Sequence, residues 1–211
     1  MRGSLVRQQV RRMSAVFAVS VAALTPLATG QASAATAHAT GVVVYMCGFP
    51  MIGQQPLDIT ARFDGPGTVA AGGTFTPDAI AGTATFSALH NATIFSAANY
   101  DGVRGRATAP LSGTNVTPAS VTVAGLDVPE QITPYVPGPR TVGFAQDTAT
   151  SAPAFTAGAP GSAVLALGTT FKLELDFHKR DGSWDPWTLN CTVKNTNPAQ
   201  NRAFAPAIPV V

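Results

Sequence analysis

From Phe171 to His178 the chain alternates without a break. Phe171, Leu173, Leu175 and Phe177 are apolar, and Lys172, Glu174, Asp176 and His178 between them are charged or polar. Successive side chains point to opposite faces only in a strand, so this period of two commits the segment to a sheet with one buried and one wet face. A second run does the same: Leu57, Ile59, Ala61 and Phe63 oppose Asp58, Thr60, Arg62 and Asp64. In a third, Trp187, Leu189, Cys191 and Val193 oppose Thr188, Asn190, Thr192 and Lys194, just after the hairpin signal Asp181-Gly182.

Between these runs the chain is cut into short pieces by glycine and proline. Thr40–Cys47 is β-branched and aromatic and reads as a strand, ended by Gly48, Pro50 and Gly53. Asp64-Gly65-Pro66-Gly67 reads as a turn, and residues 103–109, 119–126, 141–145 and 163–167 as further strands. Residues 86–97, with Phe86, Leu89, Thr93 and Ala97 near helical spacing, are the one helix candidate. Pro129, Pro134, Pro137 and Pro139 make 128–140 an extended connection or a sheet edge, because proline gives no ladder donor. Residues 151–161 read as a loop with Phe155 plugging the core. Residues 198–211, with Pro198, Pro206 and Pro209, read as an irregular Pro/Ala-rich tail. With no βαβ rhythm, the expected fold is all-β: an antiparallel, immunoglobulin-like β-sandwich with at most one short helix, closed by one disulfide, with a small barrel as the alternative.

The N-terminal segment reads as an export signal. Arg2, Arg7, Arg11 and Arg12 precede an apolar run over 13–27, and Ala32-Ser33-Ala34 supplies the small-x-small cleavage pattern. Fifteen residues fall short of the roughly 20 that span a bilayer. The expected organisation is a cleaved signal peptide over 1–34, a single sandwich domain over 35–197 and the tail over 198–211, with no membrane span after cleavage. Loss of the signal turns the net charge from +2 to −2, and the remaining cations are scattered. That pattern excludes an electrostatic footprint for nucleic acid.

The two cysteines, Cys47 and Cys191, lie on the first and last clear strands. In an exported chain they are expected to form a disulfide; two free thiols are the alternative. There is no Cys-x-x-Cys pair, and two cysteines without clustered histidines make a poor zinc site.

Tyr45-x-Cys47-x-Phe49-Pro50-x-Ile52-Gly53-x-Gln55-Pro56 resembles the opening signature of an uncharacterised domain family of secreted actinobacterial proteins, and Cys191-Thr192 resembles its closing signature. A Pro-Gly-Gln turn frequent after that cysteine is replaced here by Lys194-Asn195-Thr196-Asn197-Pro198. The resemblance covers residues 40–197 and implies export, a β-rich fold and a cysteine pair. It carries over no activity and no catalytic residue.

The chemistry-bearing residues assemble no motif. No Gly-x-Ser-x-Gly elbow is present. His90 and His178 are the only histidines placed to act as bases, since His38 lies beside the cleavage site, and ordinary surface positions explain both. Glu174 and Asp176 share a strand face about 7 Å apart, a spacing a glycosidase could use, but Lys172 and His178 stand in the same row and a solvated face accounts for all four. Asp181-Gly182-Ser183-Trp184-Asp185 has oxygens at alternate positions, as calcium loops do, without the remaining ligands; a hairpin turn explains it. Asn91, Asn115 and Asn190 open Asn-x-Thr patterns on which no glycan is expected in a bacterial source. Trp184, Tyr135 and Tyr100 are the candidate ligand contacts, with Trp187 assigned to the core. The expected function is that of a secreted or cell-wall-associated, non-enzymatic module binding a cell-wall or extracellular glycan or protein, with no catalytic residue, no metal and no cofactor. The alternatives are a secreted glycan hydrolase working through Glu174 and Asp176, and a structural component of the cell surface.

Overall fold

The alternating runs form strands, and they lie in two sheets that face each other. The computed structural model describes residues 35–211, so the expected signal peptide lies outside the described residues; the described residues pack as one compact unit. Its strands are β1 (Ala35–Ala39), β2 (Val43–Phe49), β3 (Gly53–Pro66), β4 (Thr74–Phe75), β5 (Asp78–Phe86), β6 (Tyr100–Thr114), β7 (Val116–Thr117), β8 (Ser120–Ile132), β9 (Arg140–Ala145), β10 (Phe155–Ala157), β11 (Gly161–Leu167), β12 (Thr170–Lys179), β13 (Trp184–Val193) and β14 (Ile208–Val210). The one helical segment among the described residues, α1 (Ala88–Asn91), runs on into a π-helical stretch, Ala92–Ala97.

One sheet has the order β2-β3-β5-β9 and the other β13-β12-β6-β8, all antiparallel. The sheets meet at two narrow seams. At one, β13 pairs with β2 over Cys191–Cys47, Thr192–Met46 and Val193–Tyr45. At the other, β8 meets β9 at Asp127–Ala145 alone. The sheets are thus joined along both long edges, over three paired positions at one seam and one at the other. The Cys47–Cys191 disulfide stands in the wider seam, and no cysteine is free. The long strands extend each sheet: β1 runs beside the second half of β3, and β11 beside the second half of β6.

The inward faces are those the alternation marks. Leu57, Ile59, Ala61 and Phe63 are buried opposite Phe171, Leu173, Leu175 and Phe177. Tyr45 and Phe144 of the first sheet both approach the Phe171 ring, at 5.9 and 5.8 Å between centroids. A void between the sheets, lined by Phe63, Phe144, Phe171 and Phe204 among others, is about 10 Å³ and apolar, at the lower limit for one water. Phe155 is fully buried, stacked on Phe75 within a small three-stranded sheet of β4, β10 and β7. Among the described residues no helix is long and apolar enough to cross a membrane.

Residues 198–211, expected as an irregular tail outside the domain, have little regular structure but belong to the fold. Gln200 donates to the Val44 carbonyl and accepts from its amide. Phe204 is buried edge-on to Phe63, and β14 pairs with the start of β11. The segment is strapped down by side chains and isolated bridges instead of a long ladder, so it shows no period of two. Two other boundaries also move outward: β3 continues through the expected turn to Pro66, and β8 runs on to Ile132.

Candidate functional site: the helix end of the sandwich

Strand register gathers four connections at one end. The β2–β3 turn (50–52), the helical segment, the β8–β9 loop (133–139) and the β12–β13 turn (180–183) all lie where Phe49 pairs Gly53, Phe86 pairs Arg140, Gly102 pairs Ile132 and His178 pairs Trp184. Ser87 caps the helix by accepting from the His90 amide, and Ile94 and Phe95 anchor it in the core. Phe95 packs between Phe86 and Phe177. Gly53 turns the chain with a φ of +67°, which a glycine adopts without the Cβ clash other residues meet.

Two consecutive helix residues fasten the neighbouring loops. His90 Nε2 lies 2.7 Å from Gln55 Oε1, and Gln55 Nε2 donates to the Ile52 carbonyl at 2.8 Å. The helix thus holds the β2–β3 turn through one glutamine. Since Gln55 already donates through its amide nitrogen, its oxygen accepts, which assigns the His90 proton to Nε2 and leaves Nδ1 a buried lone pair without a partner. Burial pushes the His90 pKa below its ordinary value. Asn91 Nδ2 donates to the carbonyls of Val136 and Gly138, at 2.9 and 2.7 Å, and so holds the β8–β9 loop. Of the three buried polar or charged residues among those described, two are these.

What the fastened loops present is apolar. Leu89, Val136, Met51 and Ile132 are 71, 69, 54 and 46 % exposed, four of the six large apolar residues left open to solvent among those described. Ile52 and Tyr135 beneath them pack against the core.

Polar groups flank these tips. Asp101 Oδ1 sits 2.5 Å from His178 Nδ1, and the His178 ring meets Trp184 edge-on at 4.8 Å. The Arg104 guanidinium lies 4.0 Å over the Trp184 ring and also reaches Glu130 and Asp176. The Tyr100 hydroxyl donates to Asp185 at 2.6 Å, and Lys179 contacts the same oxygen; burial and the Asp185 carboxylate push the Tyr100 pKa up to about 12. Arg140 lies 4.0 Å over the Phe95 ring and donates to the Thr133 hydroxyl. Arg180 donates to the Phe95 carbonyl.

Trp184, Tyr135 and Tyr100 all come to this end, in different settings. Tyr100 is only 4 % exposed and its ring is part of the core against Trp187 and Phe177. Trp184 is half-buried with Arg104 across one face, closing the β12–β13 edge. Tyr135 is half-buried in the β8–β9 loop. His90 and Asn91, whose sequence setting marks an ordinary surface histidine and a bare Asn-x-Thr pattern, hold the end together. The one local signal was Ser87 three residues before His90, a helix start.

Asp101 and His178 have the geometry of an acid orienting a base, but no serine, threonine or cysteine among the described residues hydrogen-bonds to His178. Glu174 is paired with Lys172 and Asp176 with Arg104 on an open face. In the 181–185 turn, Asp181 accepts from the Ser183 amide and hydroxyl while Asp185 is held by Lys179 and Tyr100, so the two carboxylates serve different partners. No group of three His, Cys, Asp or Glu among the described residues could hold a metal ion.

A model described as a family of unknown function, DUF6801, matches residues 44–205. No curated protein and no solved structure matches the chain.

Proposed function

Because this chain belongs to the DUF6801 family of unknown function, which offers no activity to carry over, we propose from its own geometry that it acts by surface contact: an exported binding domain of the cell envelope or extracellular space. The single observation that carries this reading is the helix end, where loops pinned by His90 and Asn91 hold exposed Met51, Leu89 and Val136 in fixed positions. The gathering of exposed apolar side chains at one end of a well-packed domain supports a contact site, and prior fastening lowers the ordering cost of binding. Export is supported by the basic and apolar N-terminal pattern and by the disulfide, which persists in oxidising compartments.

The test is retention on isolated cell envelope, comparing Ala35–Val211 with its Leu89→Asp/Val136→Asp variant. Retention that falls with the double substitution supports the reading. No retention on envelope, purified wall polysaccharide or extracellular matrix ends it.

A further inference from the structure

Resting on the surface-contact reading, we infer that the helix end docks on a lipid surface bearing anionic headgroups, with Met51, Leu89 and Val136 entering the acyl boundary and Arg140 and Arg180 meeting the headgroup phosphates.

The shape of the end favours a soft apolar medium. The three side chains stand on three separate connections, as tips rather than walls of a groove. Two surface clefts lie on other parts of the molecule, near Thr60 and near Thr170. Separate apolar tips gain most where acyl chains can close around each of them.

The charge pattern supplies the second half. The cations Lys179 and Arg104 at this end are paired with carboxylates. Arg140 and Arg180 are not: their hydrogen bonds go to the Thr133 hydroxyl and to the carbonyls of Thr133, Asp101 and Phe95, and neither forms an ion pair among the described residues. The carboxylates that could have served them are committed elsewhere. Asp101 is on His178, Asp185 on Lys179, and Asp181 is folded back on Ser183. Two guanidinium groups at Phe95, neither in an ion pair although the Asp101 charge acts on Arg140, stand beside apolar tips and suit phosphate headgroups above an acyl layer. The glycan stacking expected of Trp184 has less room, because Arg104 covers one face of its ring.

The experiment is co-sedimentation of Ala35–Val211 with vesicles of phosphatidylglycerol and phosphatidylcholine, and with phosphatidylcholine alone. Far-ultraviolet circular dichroism would check that each variant is folded. Association with the anionic vesicles that weakens with salt is expected. Leu89→Asp or Val136→Asp should lower it at least about tenfold, and Arg180→Glu should lower it on anionic vesicles only. Val42→Asp, on an exposed residue just before the start of β2, whose other end Phe49 lies at the helix end, should leave it unchanged. No association, or equal loss in the Val42 variant, overturns the inference. So does a self-associated form in sedimentation that Leu89→Asp dissolves, which would make a second copy the occupant. If the envelope still retains the protein through Leu89 and Val136 while vesicles do not, surface contact stands and the lipid partner falls.

Discussion

Cys47 and Cys191 stand directly opposite each other, Cα to Cα 4.1 Å, in the three-residue ladder where the first sheet passes into the second. That separation belongs to the close, non-hydrogen-bonded kind of antiparallel pair. The covalent link therefore reinforces the seam at a place where few ladder bonds are available. It also closes a loop of 144 positions.

Removing both sulfurs with Cys47→Ser/Cys191→Ser should lower stability by up to about 5 kcal/mol, the chain-entropy value for so long a loop. Urea unfolding of the double variant against the oxidised protein measures it. Amide exchange at Tyr45–Cys47 and Cys191–Val193 should rise first. A loss below about 1 kcal/mol would mean that packing alone holds the seam.

Gly82 is paired across the sheet with Phe144 and lies against the Thr60 carbonyl on the other side. A Cβ there would run into both the carbonyl and the Phe144 ring, which covers the glycine. Gly82→Ala should cost about 1–3 kcal/mol by overpacking. Gly143→Ala, one residue from the same aromatic ring but with open space around it, should be nearly neutral. Thermal unfolding of the two variants side by side decides the point, and equal effects would refute the crowding.

The strands were legible because their inward and outward residues differ in kind, as from Leu57 to Asp64 and from Phe171 to His178. The cysteine pair was legible because the two residues fall on the first and last of those strands. The helix end was not. His90 and Asn91 are polar, and chemistry alone places such residues outside; only the three-dimensional meeting of Gln55, Val136 and Gly138 with the helix buries them. Tyr100 misleads in the opposite sense. An aromatic beside Asn99, Asp101 and Gly102 reads as a loop tip, yet it begins β6 with its ring inside.

The last fourteen residues show the same difficulty, and their place can be checked. Phe204 is 4 % exposed and meets Phe63 at 4.9 Å, and Phe63 in turn stacks on His38, whose Nδ1 reaches the Pro206 carbonyl. A buried phenylalanine in such a setting contributes about 3–5 kcal/mol relative to alanine. Phe204→Ala should lose that much in chemical denaturation. A chain ending at Asn197 should lose more, since Ile208 and Val210 go with it. A truncated protein as stable as the whole would return the segment to a dispensable tail.

Acid should loosen the helix end before it attacks the carboxylates. The buried His90 ring already donates through Nε2 to Gln55, so a second proton would sit on Nδ1, where no acceptor waits. Its pKa in the folded protein is accordingly below the ordinary 6.5. Between those two values the unfolded chain binds more protons than the folded one, so stability is fully present above pH 6.5 and declines as the pH falls toward the folded value. Asp147, Asp181 and Asp185 have pKa values depressed below 3.8 by their hydrogen bonds and cationic neighbours, so their contribution is lost only at more acid pH. Unfolding free energies measured from pH 7.5 to 4.5 should therefore fall for the native sequence and fall less for His90→Gln, which has no proton to gain. Identical slopes for the two proteins would show that another group governs the acid response. In the native protein, amide exchange around Ile52 and Gln55 should quicken over the same range, because the turn they form is held to the helix through that imidazole.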